Sequence, residues 1–255
     1  MIRTERLTKH YGEKAAVRDL DLQIEPGEVF GFLGPNGAGK STTVKILAGL
    51  IPAGAGRAFV AGFDVAEHPL EAKRRLGFVP ESPKLYESLS ADGFLDVMGA
   101  LYNLDPVASR SRRDDLIELF GLGDVRHQRL REFSKGMRQK VVIASALIHR
   151  PDVLILDEPF DGLDANTALV MKQLLAGMAA QGKTVLFSSH VLEVVERICT
   201  RLCIIDNGRK VAEGTAAEIR RHFRAATLDE AFSRLTGVRE ASAVTADILA
   251  ALART

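Results

Sequence analysis

Gly34-Pro35-Asn36-Gly37-Ala38-Gly39-Lys40-Ser41 meets the pattern G-x-x-x-x-G-K-[ST] at every fixed position. Before it, Val29-Phe30-Gly31-Phe32-Leu33 is short and apolar, as a buried strand is. After it, Val44, Leu47, Ala48 and Ile51 fall at helical spacing. Strand, loop and helix in that order are what phosphate binding requires. Glycines let the backbone curl so that successive N–H groups face phosphate oxygens, and the helix N-terminus adds partial positive charge. In this pattern Lys40 reaches the β- and γ-phosphates and Ser41 ligates Mg²⁺. The stretch predicts a nucleoside triphosphate site in an α/β fold.

Working outward, 255 residues with 46% apolar content can bury a substantial core as one large domain, or one domain with a subdomain. The net charge is +1 and Lys and Arg are spread along the chain, so no electrostatic footprint predicts wrapping of nucleic acid. No apolar run approaches the roughly 18 residues of a membrane span, and Met1-Ile2-Arg3-Thr4-Glu5-Arg6 does not read as a secretory signal. The expectation is a cytoplasmic chain, unless another protein holds it to a membrane. Cys199 and Cys203 are four apart and could share a helical face, but no second pair exists to complete a zinc site. They are expected as buried thiols in a reducing compartment.

Val17, Leu20, Leu22 and Ile24 alternate loosely up to Pro26-Gly27, which predicts an antiparallel strand pair feeding the phosphate-loop strand. Further strands are expected at Arg57–Val60, Leu76–Val79, Val153–Leu156, Thr184–Ser188 and Leu202–Asp206, the apolar ones buried on both faces. Between about Ser88 and Arg150 the pattern turns helical. Phe94, Val97, Met98 and Leu101 repeat at i, i+3, i+4, i+7, and Leu116, Leu119 and Phe120 follow suit, predicting an inserted helical subdomain. Residues 1–215 are expected to form the nucleotide-binding domain. Residues 216–255 read as a short helical extension with Ile219, Phe223, Phe232, Leu235, Ile248 and Leu252 as packing positions.

Two other segments carry chemistry. Val153-Leu154-Ile155-Leu156-Asp157-Glu158 is an apolar strand ending in two carboxylates, and strand ends are where parallel sheets present ligand groups. Such charges are costly to bury unless a cation or a hydrogen-bond network compensates them. One carboxylate suits Mg²⁺ and the next suits water. Ser134, about twenty residues upstream, reads as the N-cap of a helix in which Val142, Ala146 and His149 share a face, so this is a second helix end able to bind an anion.

With these elements in place, the chain resembles the nucleotide-binding subunit of an ATP-binding cassette (ABC) transporter over nearly its whole length. Tyr11 resembles the aromatic residue that stacks on adenine. Gly34 to Ser41, with Thr42 next, is the Walker A loop. Glu81 holds the Q-loop position, and Phe133-Ser134-Lys135-Gly136-Met137 resembles the LSGGQ signature. Asp157-Glu158 ends Walker B, Asp161-Gly162-Leu163-Asp164 resembles the D-loop, and His190 the switch histidine. Gly77-Phe78-Val79-Pro80-Glu81, the signature segment and Thr227-Leu228-Asp229-Glu230-Ala231-Phe232 together resemble the subfamily serving ABC-2 type exporters.

The resemblance implies the ABC ATPase fold, with a mostly parallel core sheet, an antiparallel β subdomain and the helical insertion. It also implies two protomers sandwiching two ATP molecules head to tail. Lys40 and the loop residues Gly34, Pro35, Asn36, Gly37, Ala38, Gly39, Ser41 and Thr42 then hold the phosphates. Ser41 and Asp157, with Glu81, hold Mg²⁺. Glu158 orients and deprotonates the attacking water, and His190 contacts that water and the γ-phosphate. Ser134 and Gly136 close in from the partner protomer, with Asp164 from the D-loop. Integral membrane permease subunits would hold the chain on the inner face of the cell membrane, with Leu85 and Tyr86 as docking candidates.

Two segments depart from the family pattern. Ionised Glu81 can only accept hydrogen bonds where the usual glutamine also donates. Lys135 and Met137 replace a glycine and a glutamine of the signature, while Ser134 and Gly136 keep the hydroxyl and the backbone N–H. Two alternatives stay open at this point: a soluble ABC-type ATPase, for example in cofactor assembly, and a different P-loop enzyme. Against the second, no Asn-Lys-x-Asp guanine motif occurs.

Overall fold

The computed structural model describes residues 1–160, 163–189 and 191–238, together with Thr245 and Leu252. In chain order the elements are β1 (Ile2–Tyr11), β2 (Lys14–Ile24), β3 (Val29–Leu33), α1 (Lys40–Leu47), β4 (Ala55–Val60), β5 (Phe63–Asp64), α2 (Pro69–Arg75) and β6 (Leu76–Val79). Three longer helices follow, α3 (Ala91–Leu101), α4 (Pro106–Leu119) and α5 (Lys135–Leu147). The remainder alternates β7 (Val153–Asp157), α6 (Ala165–Ala180), β8 (Thr184–Ser188), α7 (Leu192–Ile198), β9 (Arg201–Asp206) and β10 (Arg209–Gly214), then α8 (Ala216–His222) and α9 (Leu228–Thr236).

Among the described residues two sheets form. One is antiparallel, in the order β2-β1-β4-β5, and the other has the order β10-β9-β3-β8-β7-β6. In the second, β3, β6, β7, β8 and β9 pair in parallel and β10 is an antiparallel edge. The central strands β3, β7 and β8 are buried at all five positions, as strands covered on both faces must be.

Alternation along each strand sorts its residues between two cores. Val29, Leu33, Leu154, Leu156, Val185 and Phe187 join a core shared with α3, α4, α5 and α6. Phe30, Phe32, Val153, Ile155 and Leu186 join a second core, under α1 and the antiparallel sheet. At roughly 1.5–3 kcal/mol for each fully buried large apolar side chain, these two cores dominate the stability of the molecule. They also hold the ends of β3, β7 and β8 side by side, so that residues distant in sequence meet at one rim.

The expected strands occur: β6 and β8 have the expected bounds, β7 and β9 each run one residue longer, and β4 begins two residues earlier. Two helical stripes differ from expectation. In α3 the buried positions are Ala91, Phe94, Leu95 and Gly99, whereas Val97 and Leu101 are exposed. In α4 and the turn after it, Ile117 and Phe120 are buried and Leu119 is exposed. The helices are apolar on more than one side, and packing of α3 between α4 and α5 decides which side turns inward. In the C-terminal stretch Ile219 is buried and Phe223, Phe232 and Leu235 pack partly against the first core, but Leu252 is exposed and Ile248 lies outside the described residues. Cys199 follows α7 and Cys203 lies within β9, so they share no helix face; burial pushes both thiols up. No helix among the described residues is long and apolar enough to cross a membrane.

Candidate nucleotide site

The turn from β3 into α1 makes the phosphate loop. Gly39 takes φ +110° as the residue before the helix, a conformation L side chains rarely adopt, and a Cβ there would stand 2.2 Å from the Ala16 carbonyl oxygen. A Cβ on Gly34 would meet the Ile205 carbonyl oxygen at 2.4 Å. Glycine is therefore required twice, once for backbone conformation and close approach, once for close approach alone. Lys40 Nζ donates to the carbonyls of Gly34 at 2.5 Å and Pro35 at 3.3 Å, closing the loop on itself. Burial pulls the Lys40 ammonium below its ordinary pKa, against the opposing pull of Glu158, Asp157 and Glu81.

Asp157 ends β7 and is only 3% exposed. Pairing of β7 with β8 sets it opposite Ser188, whose hydroxyl donates to Asp157 Oδ1 at 2.5 Å. The same hydroxyl accepts from the Glu158 N–H at 3.1 Å. Glu158 itself has φ +51°. A non-glycine residue in the left-handed region costs about 1 kcal/mol or more, and such strain gathers at functional sites.

Beside these groups lies one cleft of about 300 Å³, bounded by Tyr11, Lys14, Ala16, Asn36, Gly37, Gly39, Lys40, Ser41, Thr42, Glu81 and Glu158. Tyr11, the last residue of β1, is 53% exposed and joins the lining. The cleft thus joins an aromatic platform, a loop of backbone donors, two lysines and two carboxylates. Asp157 lies behind them.

Among the described residues no three His, Cys, Asp or Glu side chains converge to hold a metal by themselves. The donors present are a hydroxyl, Ser41, and one or two carboxylates. This suits Mg²⁺, which keeps waters and takes its other oxygens from substrate phosphates.

Several expected site residues do not present a side chain to the cleft of their own chain. Ala38 is buried in the second core and presents no side chain to the cleft. Pro35 contributes through its carbonyl, which accepts from Ala38 N at 3.1 Å as well as from Lys40. Ser134 caps α5, its Oγ accepting from Met137 N at 3.2 Å, but neither it nor Gly136 lines the cleft of its own chain. Asp164 caps α6, accepting from Thr167 N at 2.9 Å and Thr167 Oγ1 at 2.6 Å, with Lys140 Nζ 3.6 Å away. The Thr167 hydroxyl, then its N–H, hold the Asp164 carboxyl at about 2, so within one chain its work is capping and not nucleotide contact. Asp161, Gly162 and His190 lie outside the described residues.

Two residues at the site were missed from sequence. Ser188 orients Asp157, and its only signal in the sequence is its position at a strand end. Lys14 lines the cleft, signalled only by its place across a Gly12-Glu13 turn from Tyr11.

Comparison with known proteins agrees with this geometry. The family described as "ABC transporter" matches residues 17–161, more than half of the chain and inclusive of the loop, the capped α5 and the end of β7. This chain belongs to the ABC transporter family. It is 38% identical over 214 residues to the Nod factor export ATP-binding protein I of Cupriavidus pinatubonensis (strain JMP 134 / LMG 1197), covering 84% of this chain and 66% of that one. A solved ATP binding subunit of an ABC transporter superposes with a TM-score of 0.87 at 34% identity, covering 92% of this chain and 99% of the other. The ATP-binding cassette MJ0796, solved as a dimer in a post-hydrolysis state with ADP and Pi, superposes with a TM-score of 0.77 at 25% identity, over 84% and 98% of the two chains. The ABC ATPase fold follows, and with it an ATP-binding subunit that hydrolyses ATP.

Proposed function

We propose that this ABC ATPase powers export through separate integral membrane subunits, working as a head-to-tail dimer that sandwiches two ATP molecules. The cleft that joins Tyr11, the phosphate loop, Glu81 and Glu158 carries the reading. Adenine stacks on the Tyr11 ring, and the loop amides with Lys40 hold the phosphates. Ser41 and Asp157 would hold Mg²⁺, with Glu81 beside them; when bound, the ion neutralises charge developing on the β- and γ-phosphates. Glu158 orients the attacking water and takes its proton, held in place by its backbone bond to Ser188. His190 is assigned to the γ-phosphate by sequence alone.

Ser134 and Gly136 stand away from the cleft of their own chain, which supports their serving the site of the partner protomer. ATP then stabilises the dimer and hydrolysis releases it. Residues 1–215 form the ATPase unit in this reading, with the helical insertion at about 88–150, and 216–255 form an extension. The permease would hold the chain at the inner face of the membrane. Of the two docking candidates, Tyr86 is 67% exposed, and Leu85 is half-buried, packing partly against the first core. Export rests on the subfamily resemblance and on the exporter relative.

The test is purification of tagged Glu158→Gln protein from detergent-solubilised native membranes with ATP and Mg²⁺. The variant is expected to bind ATP, dimerise, turn over little and bring a polytopic membrane protein with it. Wild-type turnover would remove Glu158 as general base. Recovery of soluble partners alone would favour the soluble ATPase.

A further inference from the structure

The cleft contains a second lysine that none of the assigned motifs uses. Lys14 opens β2 and lies directly opposite Tyr11 in the β1–β2 register, across the Gly12-Glu13 turn. Gly12 takes φ +58° there, which a tight hairpin turn demands. Directly paired residues of an antiparallel ladder point to the same face, about 5 Å apart at Cβ. Tyr11 and Lys14 therefore enter the cleft together, and both line it. The Lys14 ammonium extends toward the middle of the phosphate loop, where a Cβ on Gly37 would lie 4.0 Å from Nζ. Lys40 serves another part of the loop, its Nζ bonded to the carbonyls of Gly34 and Pro35.

Charge gives this placement a purpose. Glu81 and Glu158 line the cleft, and with Asp157 they act on Lys40 as three nearby carboxylates. Without Lys14 these three carboxylates would face the single ammonium of Lys40, yet the ligand is a polyanion; Lys14 brings the lining itself to two lysines and two glutamates. Loop amides cradle the α- and β-phosphates while Lys40 reaches the β- and γ-phosphates. The base-proximal half of the chain of phosphates then faces Tyr11, neutral amides and Lys14.

We propose that Lys14 is a second phosphate-binding lysine, contacting the α- or β-phosphate of the nucleotide whose base lies on Tyr11. The proposal rests on the nucleotide-site reading given above. An ammonium on a flexible stem suits this task, because it follows a phosphate oxygen without needing the fixed geometry of a guanidinium. The contact does not depend on the γ-phosphate, so it serves ADP as well as ATP.

Calorimetric affinities for ATP, ADP and adenosine, measured on full-length wild type, Lys14→Met, Lys14→Glu, Lys14→Arg and Lys40→Ala, test it. Lys14→Met is expected to weaken ATP and ADP by about three- to tenfold and Lys14→Glu by more, in line with one lost charge-assisted contact. Lys14→Arg should restore most of the affinity, and adenosine binding should not change. Losses for both Lys14→Met and Lys14→Glu below about threefold, with Lys40→Ala still impaired, would overturn the proposal. So would an equal loss for adenosine, since Lys14 would then act by shaping the Tyr11 platform. Should Lys40→Ala bind ATP as wild type does, the phosphate-site reading itself fails. Urea midpoints matching wild type show that the variants are folded; at position 14, exposed on a hairpin, none is expected to unfold the chain.

Discussion

His149 gives the molecule an acid-sensitive joint between its helical insertion and its catalytic core. The residue follows α5, and its ring stacks on Tyr102 at the end of α3 with centroids 3.7 Å apart and planes within 2°. Nε2 is 3.1 Å from the carbonyl oxygen of Leu76, the first residue of β6, so this nitrogen carries the proton and donates. Nδ1 is buried without a hydrogen-bond partner. Protonating it would leave a new buried donor unsatisfied, near the Arg112 guanidinium. Burial first, and then Arg112, lower the His149 pKa to about 4 against the opposing hydrogen bond to Leu76.

A histidine whose pKa is depressed on folding contributes stability that is fully present above the unfolded value near 6.5, and that stability is lost as pH falls through the folded value. A tenfold change in proton affinity is worth about 1.4 kcal/mol, so lowering pH from 7 to 5 would cost about 2 kcal/mol at most. The ring is partly accessible, and discounting for solvent leaves about 1 kcal/mol.

Urea denaturation at pH 7 and pH 5 of wild type and His149→Gln isolates this residue, because glutamine can still donate to the Leu76 carbonyl and does not titrate. The stability difference between the two should move by about 1 kcal/mol in favour of the variant at pH 5, with unchanged m-values. A difference that stays constant within about 0.3 kcal/mol would refute the reasoning, since His149 would then titrate alike in the folded and unfolded chain.

Two further substitutions probe the site. Gly39→Ala forces a Cβ into the left-handed region 2.2 Å from the Ala16 carbonyl oxygen; a loss of about 3 kcal/mol and of ATP binding is expected, and an unchanged urea midpoint would show that the loop relaxes freely. Ser188→Ala removes the hydroxyl that donates to Asp157 and accepts from Glu158; ATPase titrated with Mg²⁺ should show about tenfold or greater loss of activity or of apparent Mg²⁺ affinity, and a wild-type Mg²⁺ profile would remove Ser188 as the residue that positions Asp157.

The sequence alone determined the elements whose signal is local. A glycine loop between an apolar strand and a helix can be read because backbone curling and helix-end charge depend on adjacent residues, and Gly34 to Ser41 is such a run. Strands β3, β7 and β8 were legible because burial on both faces leaves an unbroken apolar run bounded by turns. The cap at Ser134 was legible because a hydroxyl satisfies an N–H three residues away.

Tertiary structure decided what depends on which strands become neighbours and which way a helix turns. Ser188 meets Asp157 only because β8 pairs with β7 in one register. Lys14 enters the nucleotide cleft only because the β1–β2 hairpin lies over the phosphate loop. The buried face of α3 runs through Leu95 and excludes Leu101, since both sides of that helix are apolar enough to bury and only the positions of α4 and α5 break the tie. Asp164 likewise reads as a nucleotide ligand in a linear pattern, yet within one chain it caps its own helix away from the cleft. A local pattern specifies which groups a backbone can satisfy nearby, whereas the meeting of distant side chains is set by packing of whole sheets and helices around two cores.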